Sequence, residues 1–176
     1  MVQDYWPSRT SMKSEDAVLS AIAIFTLVFL FLLVSSDDTI LDADDENNWA
    51  ITDICLDDHN SLATHEHVQI EIVINGSKVS IGPNIGIGDP GCSGMRGIHT
   101  HDNTGKLHIE TPSPMDAPLG AFFQIWGESF SEEVIMGNYS DETHEVVLTV
   151  NGEVNYLYDS YMMMDGDQIE IEYRSL

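Results

Sequence analysis

"HVQIEIVINGSKVSI", residues 67 to 81, is the stretch that decides the fold. Val68, Ile70, Ile72 and Ile74 alternate with His67, Gln69, Glu71 and Val73, which is the two-residue period of a strand with one buried face. Asn75-Gly76 follows, the pair best suited to the positive φ angles of a two-residue hairpin turn. SKVSI, residues 77 to 81, is the predicted return strand. A folded domain is therefore expected over residues 64–176, opening on a β-hairpin.

Further along, Gly82 to Gly97 is rich in Gly and Pro, lacks a regular period and predicts an ordered loop. "GIHTHDNTGKLHIE", residues 97 to 110, predicts a second hairpin turning at Asn103-Thr104. In "PSPMDAPLGAFFQIWG", residues 112 to 127, Leu119, Phe122, Phe123 and Trp126 recur at helical spacing. Asp116 is the expected N-cap, Pro118 suits the first turn and Gly127 the C-cap. "EVVLTVNGEVNYLY", residues 145 to 158, and "DGDQIEIEY", residues 165 to 173, predict the closing strands. Hairpin, helix and two more strands, with "VNG" followed by "DGD" and an alternating end, resemble a ubiquitin-like β-grasp domain. That resemblance implies an α+β fold with a mixed sheet and one short helix, the histidine-rich hairpin being an insertion.

In the other direction lies AVLSAIAIFTLVFLFLLV, residues 17 to 34, uncharged and long enough to reach across a bilayer core. Arg9 and Lys13 precede it; Asp37 and Asp38 follow, with no Lys or Arg before Lys78. The positive-inside rule then gives a single-pass membrane protein with a cytoplasmic N-terminus and its domain outside. The expected organisation is a cytoplasmic leader over 1–16, a transmembrane anchor over 17–36 and an acidic spacer and docking segment over 37–63, before the domain. Within that segment, residues 49 to 56 are the part expected to dock, and "DDHN", residues 57 to 60, reads as a turn. A cleaved signal peptide, ending after Ser36, is the alternative to an anchor.

The formal net charge of −24 opposes nucleic acid and anionic lipid alike. It suits a hydrated acidic surface, a cation or a basic partner. Cys55 and Cys92, an even count expected outside the membrane, favour a disulfide; metal thiolates are the other reading.

The sharpest signal is histidine. Residues two apart on a strand share a face, so His65/His67, His99/His101 and His108/Glu110 are each paired. A turn at Asn103-Thr104 sets His99 opposite His108 and crowds His99, His101 and His108 together, with Glu110 on the same face. Neutral imidazoles beside a carboxylate are the donor set that copper, zinc or iron takes. His65 and His67 are expected to add ligands, and Asp102 to ligate or to orient a ring. A metal-free hydrogen-bonded network is the competing account. The chain contains no GxSxG, P-loop or strand-borne GxGxxG, and no nucleophile is singled out. Met162-Met163-Met164 offers thioethers to Cu(I), though such runs more often pack a core edge.

His65-x-His67, "NIGI" at residues 84 to 87, Cys92, "HTHD" at 99 to 102, "HIE" at 108 to 110 and "LGAFFQIWG" at 119 to 127 resemble an uncharacterised family of membrane-anchored or lipoprotein-like extracytoplasmic proteins of archaea and bacteria. The resemblance spans most of the domain and implies its location, but no activity. The chain departs from the pattern in its acidity and in Gly82 before Pro83. The function expected is an anchored extracytoplasmic module binding copper or zinc. Rivals are a metal-free structural or adaptor subunit partnered with a membrane protein, and a cupin-like metalloenzyme, against which the wide spacing of Glu110 counts.

Overall fold

The structure, a computed structural model, describes residues 49–176. The leader, the 17–36 anchor and the acidic spacer up to residue 48 lie outside the described residues. Among those described, no helix is long and apolar enough to cross a membrane.

In chain order the strands are β1 (Cys55–Leu56), β2 (Thr64–Ile74), β3 (Ser77–Lys78), β4 (Ile87–Asp89), β5 (Cys92–Arg96), β6 (Ile98–His99) and β7 (Lys106–Thr111). After helix α1 (Leu119–Trp126) come β8 (Val134–Ile135), β9 (Asn138–Tyr139), β10 (His144–Val150), β11 (Glu153–Val154) and β12 (Gln168–Ser175). The fold is α+β and dominated by a mixed sheet in the order β11-β10-β12-β2-β7-β6, with β3 also paired to β2. β12 lies parallel to β2, setting Ile169 beside Ile70 and Ile171 beside Ile72, whereas β7 and β10 run antiparallel to their neighbours.

Alternation in β2 does what the sequence period implies. Val68, Ile70 and Ile72 are buried in one core with Leu107, Ile109, Leu148, Ile171 and the α1 residues Leu119, Phe122 and Phe123. Burying that much apolar surface on one face drives the assembly. The hairpin turn uses Asn75 at φ 50° and Gly76 at φ 77°, both in the region this turn type requires.

Three local expectations need correction. First, α1 is not capped by Asp116. Its N-cap is Pro118, without a side-chain cap, because the Leu119 N–H donates instead to the Tyr161 carbonyl of a neighbouring segment. Gly127 does form the left-handed C-cap. Second, Gly82–Gly97 is not a plain loop. It contains β4 and β5, which with β1 make a three-stranded sheet. An irregularity in the pairing between Ile87 and Asp89 interrupts the register, so these short strands leave no clean period in the sequence. Third, regular pairing of the second hairpin ends at His99 opposite His108, and residues 100–105 make a wider bend than a two-residue turn. The Thr100 N–H turns away to the Ile85 carbonyl, while the Gly105 carbonyl accepts from Ile70. Gly105, at φ 80°, lies against the Ile70 carbonyl, where a Cβ has no room.

The segment before β2 is part of the same compact unit. Ile51 is buried in the core, β1 pairs with β5, and a Cys55–Cys92 disulfide ties the two together. Neither thiolate is therefore free to bind a metal.

Candidate metal centre

The face of β2 that points away from the core carries His65 and His67. Its neighbour β7 sets Glu110 opposite His65 and His108 opposite His67, and β6 sets His99 opposite His108. Two rows result across adjacent strands: His67–His108–His99, and His65–Glu110. Directly opposed side chains on neighbouring strands are close enough to interact, so register alone gathers these rings. Ring centroids are 4.6 Å apart for His67 and His108, 5.4 Å for His99 and His108, and 4.9 Å for His65 and His67. His101, just past the end of β6, stands 4.9 Å from His99 and 4.7 Å from His108.

One further member carries no period that the sequence displays. His59, in the "DDHN" stretch, reaches over Glu110 and donates from Nδ1 to Oε2 at 2.6 Å. Its ring lies 5.7 Å from His101 and 6.2 Å from His99. The only hint available beforehand is its position four residues after Cys55, whose bond to Cys92 pulls this stretch toward β5. Of the seven histidines, His144 alone lies elsewhere, stacked on Tyr173.

Glu110 is the pivot, fully buried among these rings. While Oε2 is taken by His59, Oε1 lies 3.3 Å from His65 Nε2 and 3.8 Å from His108 Nδ1, neither aligned as a hydrogen bond. His108 Nδ1, Glu110 Oε1 and His99 Nε2 are all buried without a hydrogen-bond partner. Buried polar atoms are rarely left so, since each costs on the order of 1 to 3 kcal/mol. In His99 the other nitrogen is already engaged: Nδ1 donates to the Arg96 carbonyl at 2.9 Å, which fixes the tautomer and leaves Nε2 as a bare lone pair.

Burial pushes the His99 imidazole below its usual range, opposed in part by its bond to the Arg96 carbonyl. His108 is pushed down to about 4, first by burial and then by the neighbouring imidazoles. Both rings stay neutral at ordinary pH, the form that ligates metal.

Two sets of three histidines have ligand atoms within 4.8 Å of one another: His65, His67 and His108, and His99, His101 and His108. The protein thus has histidine groups able to hold a metal ion. Asp102 does not join them. Its exposed carboxylate accepts from the Thr104 N–H and hydroxyl, and so shapes the bend instead. Met163 is buried at the core edge, with Met162 and Met164 exposed on either side.

No protein-family model matches the chain, and neither does any curated protein or solved structure.

Proposed function

We propose that the protein is a membrane-anchored, extracytoplasmic module that binds a transition metal, copper or zinc, through its histidine face. One observation carries this reading: one oxygen of a buried carboxylate and two buried imidazole nitrogens lack partners at the place where four strand-borne histidines, His101 and His59 converge. Metal binding at this face supplies partners that the protein itself does not provide to these atoms. Imidazole nitrogen with one carboxylate oxygen suits Zn²⁺ or Cu²⁺ better than Ca²⁺ or Mg²⁺, which favour oxygen. The residues assigned to metal are His65, His67, His99, His101 and His108, in two sets that share His108, with Glu110 balancing charge. His59 joins this set and Asp102 leaves it.

The outside location is supported by the apolar run 17–34 with Arg9 and Lys13 before it, and by the Cys55–Cys92 bond, which suits an oxidising compartment. We assign the fold to the β-grasp architecture, a reading supported by the parallel pairing of β12 with β2 inside the mixed sheet and by α1 lying between them in the chain. We assign no reaction: the sequence singles out no nucleophile.

The test is elemental analysis of the full chain, purified in detergent without a histidine tag. At least one zinc or copper per chain is expected, removed by chelator with a fall in melting temperature. Absence of metal, combined with a melting temperature that Zn²⁺ and Cu²⁺ leave unmoved, refutes the proposal and favours a metal-free adaptor.

A further inference from the structure

The centre divides into two halves, and the division follows Glu110. Its Oε1 faces His65 and His108, the side on which His67 also stands. Its Oε2 is bound by His59, whose ring neighbours are His99 and His101. Each half therefore has three imidazoles, with Glu110 Oε1 beside His65 and His108 in the first and Oε2 bound to His59 in the second.

His108 belongs to both sets of potential ligands. It is the middle member of its row, with His67 across one strand boundary and His99 across the other. A single nitrogen cannot serve two ions, but an imidazole has two, and they diverge across the ring. Nδ1 lies on the Glu110 Oε1 side, so Nε2 leaves the ring in the other direction.

We infer that the site is binuclear: one ion held by His65, His67 and His108 with Glu110 Oε1, a second by His99 and His101 with Glu110 Oε2, and the His108 ring bridging the two. The inference rests on the metal-binding reading above and specifies its stoichiometry. When the second ion binds, the remaining N–H proton of His108 leaves to water, and the ring becomes a bridging anion between two cations. His59 then gives up its bond to Oε2 and turns to the second ion.

The experiment is native mass spectrometry of the full, untagged chain in detergent, titrated with Zn²⁺ at physiological salt. Two ions per chain are expected. The His65→Ala/His67→Ala variant should retain one, and so should His99→Ala/His101→Ala. A stoichiometry of one that either double variant abolishes overturns the binuclear centre and leaves the single-ion function intact; a stoichiometry of zero overturns both. A second readout, electron paramagnetic resonance of the Cu²⁺-loaded wild type, does not depend on how the variants fold. A magnetically coupled pair is expected, reverting to isolated signals in His108→Asn. Isolated signals in the wild type contradict the bridge.

Discussion

The two faces of β2 obey the same two-residue period and reach opposite ends. On one face, Val68, Ile70 and Ile72 meet β7, β12 and α1 and lose nearly all contact with water. On the other, His65 and His67 meet Glu110 and His108, and polar atoms are buried without partners. The first face is where the fold gains stability by removing apolar area from water. The second is where stability is spent, because desolvated imidazoles and an under-satisfied carboxylate oppose folding unless something binds them. A strand that stabilises through alternate residues can carry a costly site on the intervening ones, and this division is what a buried binding centre requires.

The largest effect that breaks the comparison is on the apolar face. Ile72→Ala empties a fully buried position at the centre of the sheet and should cost roughly 2 to 5 kcal/mol, measured by denaturant unfolding, with or without metal. A loss that added metal restores in full contradicts the separation of the two faces.

Next comes pH. The His108 pKa is lowered from 6.5 to about 4 in the folded chain, so between those values the unfolded chain takes up a proton that the native one refuses. The native state is therefore favoured least at the low end: stability present above pH 6.5 is lost as pH falls toward about 4. For this partly exposed ring the effect should be about 2 kcal/mol, allowing for solvent screening. It is read as the difference between metal-free wild type and His108→Asn across that range. A difference that does not vary with pH shows that the ring is not desolvated by its neighbours.

Glu110→Gln sharpens the comparison from the polar side. It keeps the volume and removes the charge, and should change metal-free stability by about 1 to 2 kcal/mol through the bond to His59. Metal affinity should fall on the order of 10- to 100-fold in a competition titration. Unchanged affinity means that the carboxylate serves only to brace His59.

The smallest effect expected is that of Asp102→Ala. The exposed carboxylate caps the Thr104 N–H and hydroxyl, so its loss should cost about 0.5 kcal/mol and leave metal content as in the wild type. A loss of metal returns Asp102 to the site.

How much was legible follows the range of the interactions. The β2 alternation, the Asn75-Gly76 turn and the aromatic spacing of α1 are local, and each is visible within one short window. The pairing of His99 with His108 is nearly local as well, since it follows from the register of one hairpin. The helix start is not legible locally, because Leu119 N–H finds Tyr161, far away in the chain, rather than the nearby Asp116. His59 is not legible either, because nothing within its own turn links it to Glu110. Asp102 is ambiguous in the sequence, since an Asp beside a His also suits a turn, and here it accepts from the Thr104 N–H and hydroxyl.

By itself, the sequence determined which residues of each strand share a face, because side-chain alternation is fixed by backbone geometry, and it determined the formal net charge of −24. Only the tertiary structure decided that β7 lies beside β2 in the register that sets His67 against His108, that a disulfide brings His59 over Glu110, and that Arg96 offers its carbonyl to His99. Those contacts join segments that no local pattern links. Their geometry comes from burying the opposite face of the sheet, so the polar centre is assembled by forces in which its own residues take little part.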